Sequence, residues 1–115
     1  MIENRLFVRF PVSGSILIQP DLHGSRVVEC ELFDLSYDGI GLYSPEQFEK
    51  DAMVKFVVNN RQLNINLGGL GRIVFCSPAA KSSKDAFRAG IEFVRVDRQL
   101  VREILAHVRE TLHKD

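Results

Sequence analysis

Net charge is the first thing this chain does without: fifteen Lys and Arg cancel fifteen Asp and Glu across 115 residues. No global field therefore draws in DNA, RNA or an anionic membrane, and any bound anion is held by local geometry. Cysteine is scarce too. Cys30 and Cys76 both sit in apolar, strand-like runs and read as buried, reduced thiols. His23, His107 and His113 are scattered, and although Glu103 and Glu110 can share a helix face with His107, no second imidazole or thiolate completes a set, so no metal is expected. The longest apolar runs fall far short of a membrane span, and the N-terminus lacks the charged-then-apolar order of a secretory signal. A cytoplasmic protein with no membrane insertion is expected. Two pairs of acids, Asp34 with Asp38 and Glu29 with Glu31, come with no nucleophile, positioned histidine or metal set. They read as exposed charges on strand and turn, and the chain as a non-enzyme.

What is present is core-forming material for one domain over 1–115: 45% apolar residues, eight of them Phe. Residues 12–18 alternate and stop at the turn formers Gln19, Pro20 and Asp21; residues 26–35 are the clearest strand and pair with them as a hairpin. The turn at 34–39 closes that strand, and 40–43 resume it after a bulge at Gly39. Ser44-Pro45-Glu46-Gln47 carries a helix-start pattern and predicts a short helical turn through Phe48. Residues 53–58 and 61–67 read as two strands joined at Asn59-Asn60, since asparagine tolerates the positive φ of a tight turn. Gly68-Gly69-Leu70-Gly71 lacks the Lys-Ser/Thr ending and following helix of a phosphate loop, and predicts a break or bend before a strand over 72–77. Residues 78–84 read as a loop and 86–94 as the last strand.

From Asp97 the period changes. Leu100, Val101, Ile104, Leu105, Val108 and Leu112 recur at helical spacing behind a plausible Asp97 N-cap, so residues 97–113 form an amphipathic helix whose apolar stripe packs on the body. Arg98, Arg102 and Arg109 are interrupted by Glu103 and Glu110 and read as an ordinary solvated face. The fold expected is all-β, a six- or seven-stranded antiparallel barrel spanning 10–95, with a C-terminal amphipathic α-helix.

Two motifs carry chemistry. Arg5 and Arg9 share one side of the backbone whether 5–9 is extended or helical, so they act as one clamp. Each guanidinium offers a planar fork of donors that matches phosphate oxygens or the acceptor pair on the Hoogsteen edge of guanine. Asp34-x-Ser36-x-x-Gly39 puts a carboxylate that accepts from guanine donors, an adjustable hydroxyl, and a missing Cβ on one tight turn. Together they describe a nucleotide receptor.

The ordered pair, Arg5-x-x-x-Arg9 and then Asp34-x-Ser36-x-x-Gly39, resembles the signature of the PilZ domain, a small β-barrel family that binds the bacterial messenger cyclic di-GMP. The resemblance extends over Gly71-Arg72-Ile73-Val74-Phe75 and Gly90-Ile91-Glu92-Phe93, similar to the family's last two strands. It implies that Arg5 and Arg9 hold phosphate and guanine, that Asp34, Ser36 and Gly39 contact guanine from the barrel face, and that cyclic di-GMP is the ligand, with no cofactor. Phe75 stands near a position where the family often has an aromatic; it either stacks on the ligand or fills the core, the simpler assignment. Many members have a further arginine where this chain has Asn4, which can still hydrogen-bond a base but cannot neutralise a second phosphate. The output expected is on an unidentified effector protein, in motility or biofilm signalling, through ordering of the arm at 1–9. The rival readings are a ligand-independent scaffold in motility or pilus assembly, and a small nucleic-acid-binding barrel, against which the neutral charge counts.

Overall fold

Alternation decides the strands. In β1 (Phe10–Gln19) Val12, Ile16 and Ile18 are buried while Leu17 between them faces out, and in β4 (Met53–Asn60) Val54, Phe56 and Val58 are buried while Lys55 and Val57 face out. With β2 (Val28–Leu35), β3 (Gly39–Ser44), β5 (Ile65–Pro78) and β6 (Phe87–Val96), they close an antiparallel barrel in the order β1-β2-β3-β6-β5-β4. The computed structural model describes residues 8–80 and 86–112; much of the loop expected at 78–84 lies outside them. The core is the barrel interior, where side chains such as Phe56, Leu32, Leu42 and Ile73 are almost wholly buried. Each such burial contributes about 1.5–3 kcal/mol.

The helix α1 (Arg98–Leu112) starts where the sequence places it. Asp97 caps it: its Oδ1 accepts from the Leu100 N–H at 3.1 Å and its carbonyl from Val101 N–H at 3.0 Å. Val101, Ile104 and Val108 are buried and Leu100 and Leu105 pack beside them, so the stripe closes the core. The side chain of Leu112 lies outside those described.

Five local expectations are corrected. Residues 44–48 form no helical turn: Ser44 Oγ accepts from Glu46 N–H at 3.1 Å and donates to its carbonyl at 2.7 Å, which closes a bend, and the buried Phe48 donates its N–H to Cys76 Sγ at 3.4 Å. Cys76 is half-buried and Cys30 buried, so the expectation of a buried thiol holds for Cys30 and not for Cys76. The β4–β5 turn lies at 61–64, because Asn60 stays in the ladder opposite Ile65 while its Oδ1 accepts from Leu63 N–H at 3.0 Å and Asn64 takes the positive φ of 53°. The glycine-rich run does not break the chain: β5 passes through it unbroken, so the two segments expected at 61–67 and 72–77 become one strand and the barrel has six. Its glycines fit crowding rather than turning, since a Cβ on Gly69 would collide with the Arg95 carbonyl; the irregularity appears as a register shift against β6 between Leu70 and Gly71. The bulge expected at Gly39 falls instead on β2, between Leu32 and Asp34.

Candidate functional site

The β1–β2 register explains how residues 25 positions apart meet. Phe10 stands opposite Leu35 and Pro11 opposite Asp34, so Arg9, one step further, comes alongside the turn that follows β2. Its guanidinium grips Asp34 with both arms of the fork, Nε to Oδ2 at 3.1 Å and Nη2 to Oδ1 at 2.8 Å. Nη1 reaches Ser36 Oγ at 3.4 Å and lies 3.7 Å from Asp38 Oδ1. The Arg9 and Asp34 side chains are only 21% and 17% exposed, so this bidentate bond is stronger than a surface ion pair, about 1.5–3 kcal/mol before solvent screening. Asp34 is thus not the solvated acid its sequence context suggests; Glu29 and Glu31 are exposed as expected.

Ser36 is the hub of the turn and is fully buried. Its N–H donates to the Gly39 carbonyl at 2.9 Å, and its Oγ accepts from the N–H groups of Gly39 at 3.2 Å and Asp38 at 3.3 Å while donating to Asp38 Oδ1. The Asp38 carbonyl accepts from Phe93 N–H at 2.8 Å, which ties the turn to β6. Gly39 is needed for close approach and not for positive φ: a Cβ there would run into the Ile91 carbonyl oxygen, and Gly14 alone among the described glycines has positive φ.

Arg9, Asp34, Asp38 and Gly39 line one side of a pocket of about 290 Å³ whose other walls include Phe33, Phe75 and Arg88. Phe75 is 39% exposed and belongs to this wall, which overturns its simpler assignment to the core. It lies flat across β6 because residue 90 is glycine: a Cβ there would stand 2.5 Å from its ring. Arg88 sits over the Phe33 ring, 4.9 Å from its centroid, and Phe33 in turn contacts Tyr43 at 4.9 Å. The pocket therefore combines a forked cation, a carboxylate, two aromatic faces and a second arginine, a set suited to a planar heterocycle carrying negative charge.

Ser36 is not in the pocket wall, so its geometry fits holding the turn. Arg5 and Asn4 lie outside the described residues. Phe33 and Arg88 were missed by sequence reasoning: each sits in an ordinary alternating strand, and the one available cue was Gly90, across the β5–β6 ladder from Phe75. Of the helix arginines, Arg102 and Arg109 are exposed as expected, whereas Arg98 is half-buried. Arg98 Nη1 donates to the Tyr37 carbonyl at 3.0 Å, Arg102 Nη2 meets the Tyr37 hydroxyl at 3.2 Å, and both guanidiniums lie 5.3 Å from its ring centroid. Tyr37, inside the motif turn, is thereby clasped by α1. Among the described residues no three His, Cys, Asp or Glu side chains gather to hold a metal, and no helix is long and apolar enough to cross a membrane.

The PilZ domain family model matches residues 3–110. Ten solved chains match, three of which illustrate the shared fold. The inhibitor of motility MotI/DgrA of Bacillus subtilis aligns with a TM-score of 0.76 at 13% identity, over 99% of this chain and 54% of that one. The PilZ domain of YcgR from Escherichia coli with c-di-GMP gives 0.70 at 20% identity, over 95% of both chains. YcgR from Escherichia coli in complex with c-di-GMP gives 0.68 at 21%, over 96% of this chain and 49% of that one. The chain thus spans about half the length of MotI/DgrA and of the longer YcgR chain. No curated protein matches.

Proposed function

The chain belongs to the PilZ domain family, and on that footing we propose that it is a non-catalytic receptor for cyclic di-GMP. The observation that carries this reading is the fork of Arg9 on Asp34 at the lip of a pocket walled by Phe33, Phe75 and Arg88. Before ligand arrives the two charges satisfy each other, so neither is left unpaired in a half-buried place. A guanine entering there presents N1–H and N2–H donors to Asp34, whose carboxylate has lone pairs beyond those the Arg9 fork occupies. A phosphate, or the O6/N7 edge of the second guanine, takes Arg9 and, from the N-terminal arm, Arg5. Phe75 offers a face for stacking and Arg88 a second cation against the ring phosphates. Ser36 and Gly39 serve by shaping the turn that presents Asp34.

The magnitudes suit a messenger receptor. Charge-assisted bonds of about 1.5–3 kcal/mol each and a stacked base of about 1–3 kcal/mol, against the cost of association, leave roughly −8 kcal/mol, a micromolar affinity. Arg9 already holds Asp34, so ligand that adds Arg5 to that pair draws the arm ahead of Arg9 over the barrel and presents a new surface to an effector protein in the cytoplasm. Motility is the process to test first, since one protein of the same fold is named an inhibitor of motility and c-di-GMP complexes are known for another.

Calorimetric titration of wild type and Asp34→Ala with cyclic di-GMP, cyclic di-AMP and GTP tests the reading. Saturable micromolar binding of cyclic di-GMP is expected, at least about tenfold tighter than cyclic di-AMP because adenine reverses donors and acceptors on that edge. Asp34→Ala is expected to lose most of that preference. Wild type giving no heat at tens of micromolar rejects the receptor, and a partner captured equally well by Arg9→Ala then favours the scaffold.

A further inference from the structure

Between Leu32 and Asp34, β2 carries one residue more than β3: Leu32 pairs with Leu42 and Asp34 with Gly41, so Phe33 has no opposite number. A bulge of this kind re-aims side chains. Strict alternation sends one of any two consecutive residues inward, yet here Leu32 and Leu35 are buried on either side while Phe33 and Asp34 both line the ligand pocket. Gly41 completes the arrangement. It pairs with Asp34 on one side and Gly90 on the other, and a Cβ there would run into the Asp34 carboxylate and stand 2.6 Å from the Phe33 ring. The ring edge and the carboxylate therefore share the space above one bare residue, within the width of a single purine of each other.

Phe33 differs from Phe75 in being half-buried. Its face carries the guanidinium of Arg88, 4.9 Å from the ring centroid. Arg88 is itself exposed and is in no ion pair among the described residues. A cation resting on an exposed ring is held less strongly than one bonded to a phosphate oxygen. Resting on the receptor reading above, we infer that Phe33 is the stacking face for the guanine whose edge Asp34 reads, and that Arg88 covers this face until a ligand phosphate draws it away. The base takes the place of the guanidinium, so one exchange gives the purine a flat apolar surface and the phosphate a cation. Gly41 is the positioning residue, since its missing Cβ sets both the carboxylate and the ring. Phe75, which lies over Gly90, remains a separate face.

Calorimetry and NMR of the full chain with cyclic di-GMP test this. Phe33→Leu is expected to weaken binding about five- to hundredfold, and Phe33→Tyr, which keeps a ring, to weaken it less, both with the far-ultraviolet dichroism of the wild type. Because one base meets both groups, combining Phe33→Leu with Asp34→Ala is expected to cost less than the product of the two single losses. In nuclear Overhauser spectra, contacts between the Arg88 side chain and the Phe33 ring in the free protein are expected to give way at saturation to contacts between that ring and guanine H8. Wild-type affinity in Phe33→Leu, single losses that multiply, or an Arg88–Phe33 contact that survives saturation overturns this inference and leaves the receptor reading in place. No heat from wild type rejects that reading and this inference with it.

Discussion

Ser36 and Arg9 occupy adjacent places in the same small network, yet they answer to different tests. Ser36 Oγ accepts from two backbone N–H groups inside a fully buried turn, so Ser36→Ala leaves both unsatisfied and is expected to lower stability by about 1–3 kcal/mol in urea unfolding. Arg9→Lys keeps the charge but cannot reproduce the two-armed grip on Asp34. It keeps one charged bond to Asp34 and is expected to cost about 1–2 kcal/mol in urea unfolding while weakening cyclic di-GMP binding about tenfold or more. The spacing of Asp34, Ser36 and Gly39 was legible in the sequence because the motif is local. Their division of labour was not: Gly39 owes its identity to the Ile91 carbonyl, an atom that no reading of residues 34–39 brings near. Arg88 stayed hidden for the same reason, since its contact with Phe33 exists only once β3 and β6 pair.

At the scale of elements, periodicity carried far. The strands that bury alternate residues, apart from the join within β5, and a helix with its N-cap could be read from the pattern, because burial on one face is what the pattern records. Turns were read less well. At 59–60 the asparagines suggested the corner, but the ladder continues through Asn60 and the turn slips to 61–64; at 44–48 a helix-start signal had too short a segment before Asp51, with φ 71°, to grow into a helix. The clasp of α1 on Tyr37 joins two elements whose sequences gave no sign of each other. A double-mutant cycle between Tyr37→Phe and Arg102→Ala is expected to show a coupling of about 0.5–1 kcal/mol in unfolding, and Arg98→Ala is expected to speed amide exchange in the first turns of α1. Additive single effects and unchanged exchange would leave the clasp without energetic content.

For the whole molecule, closure of the six strands decides what is available for recognition. A closed ladder offers no edges, so recognition falls to the pocket, whose walls come from β2, β3, β5, β6 and the residue before β1, and to the outer faces. Arg9 precedes the first strand and its fork lies at the lip of the pocket, outside the barrel ladder; under the proposed function, ligand bound there leaves the barrel itself unchanged. Binding is therefore expected to raise the thermal midpoint by mass action while the dichroism of the strands stays the same.

The most direct measurement is a calorimetric titration of cyclic di-GMP into wild type and Arg9→Ala side by side. A saturable micromolar isotherm is predicted for the first and at least about tenfold weaker binding for the second. Equal affinity in the two proteins, or no heat from wild type, would contradict the account.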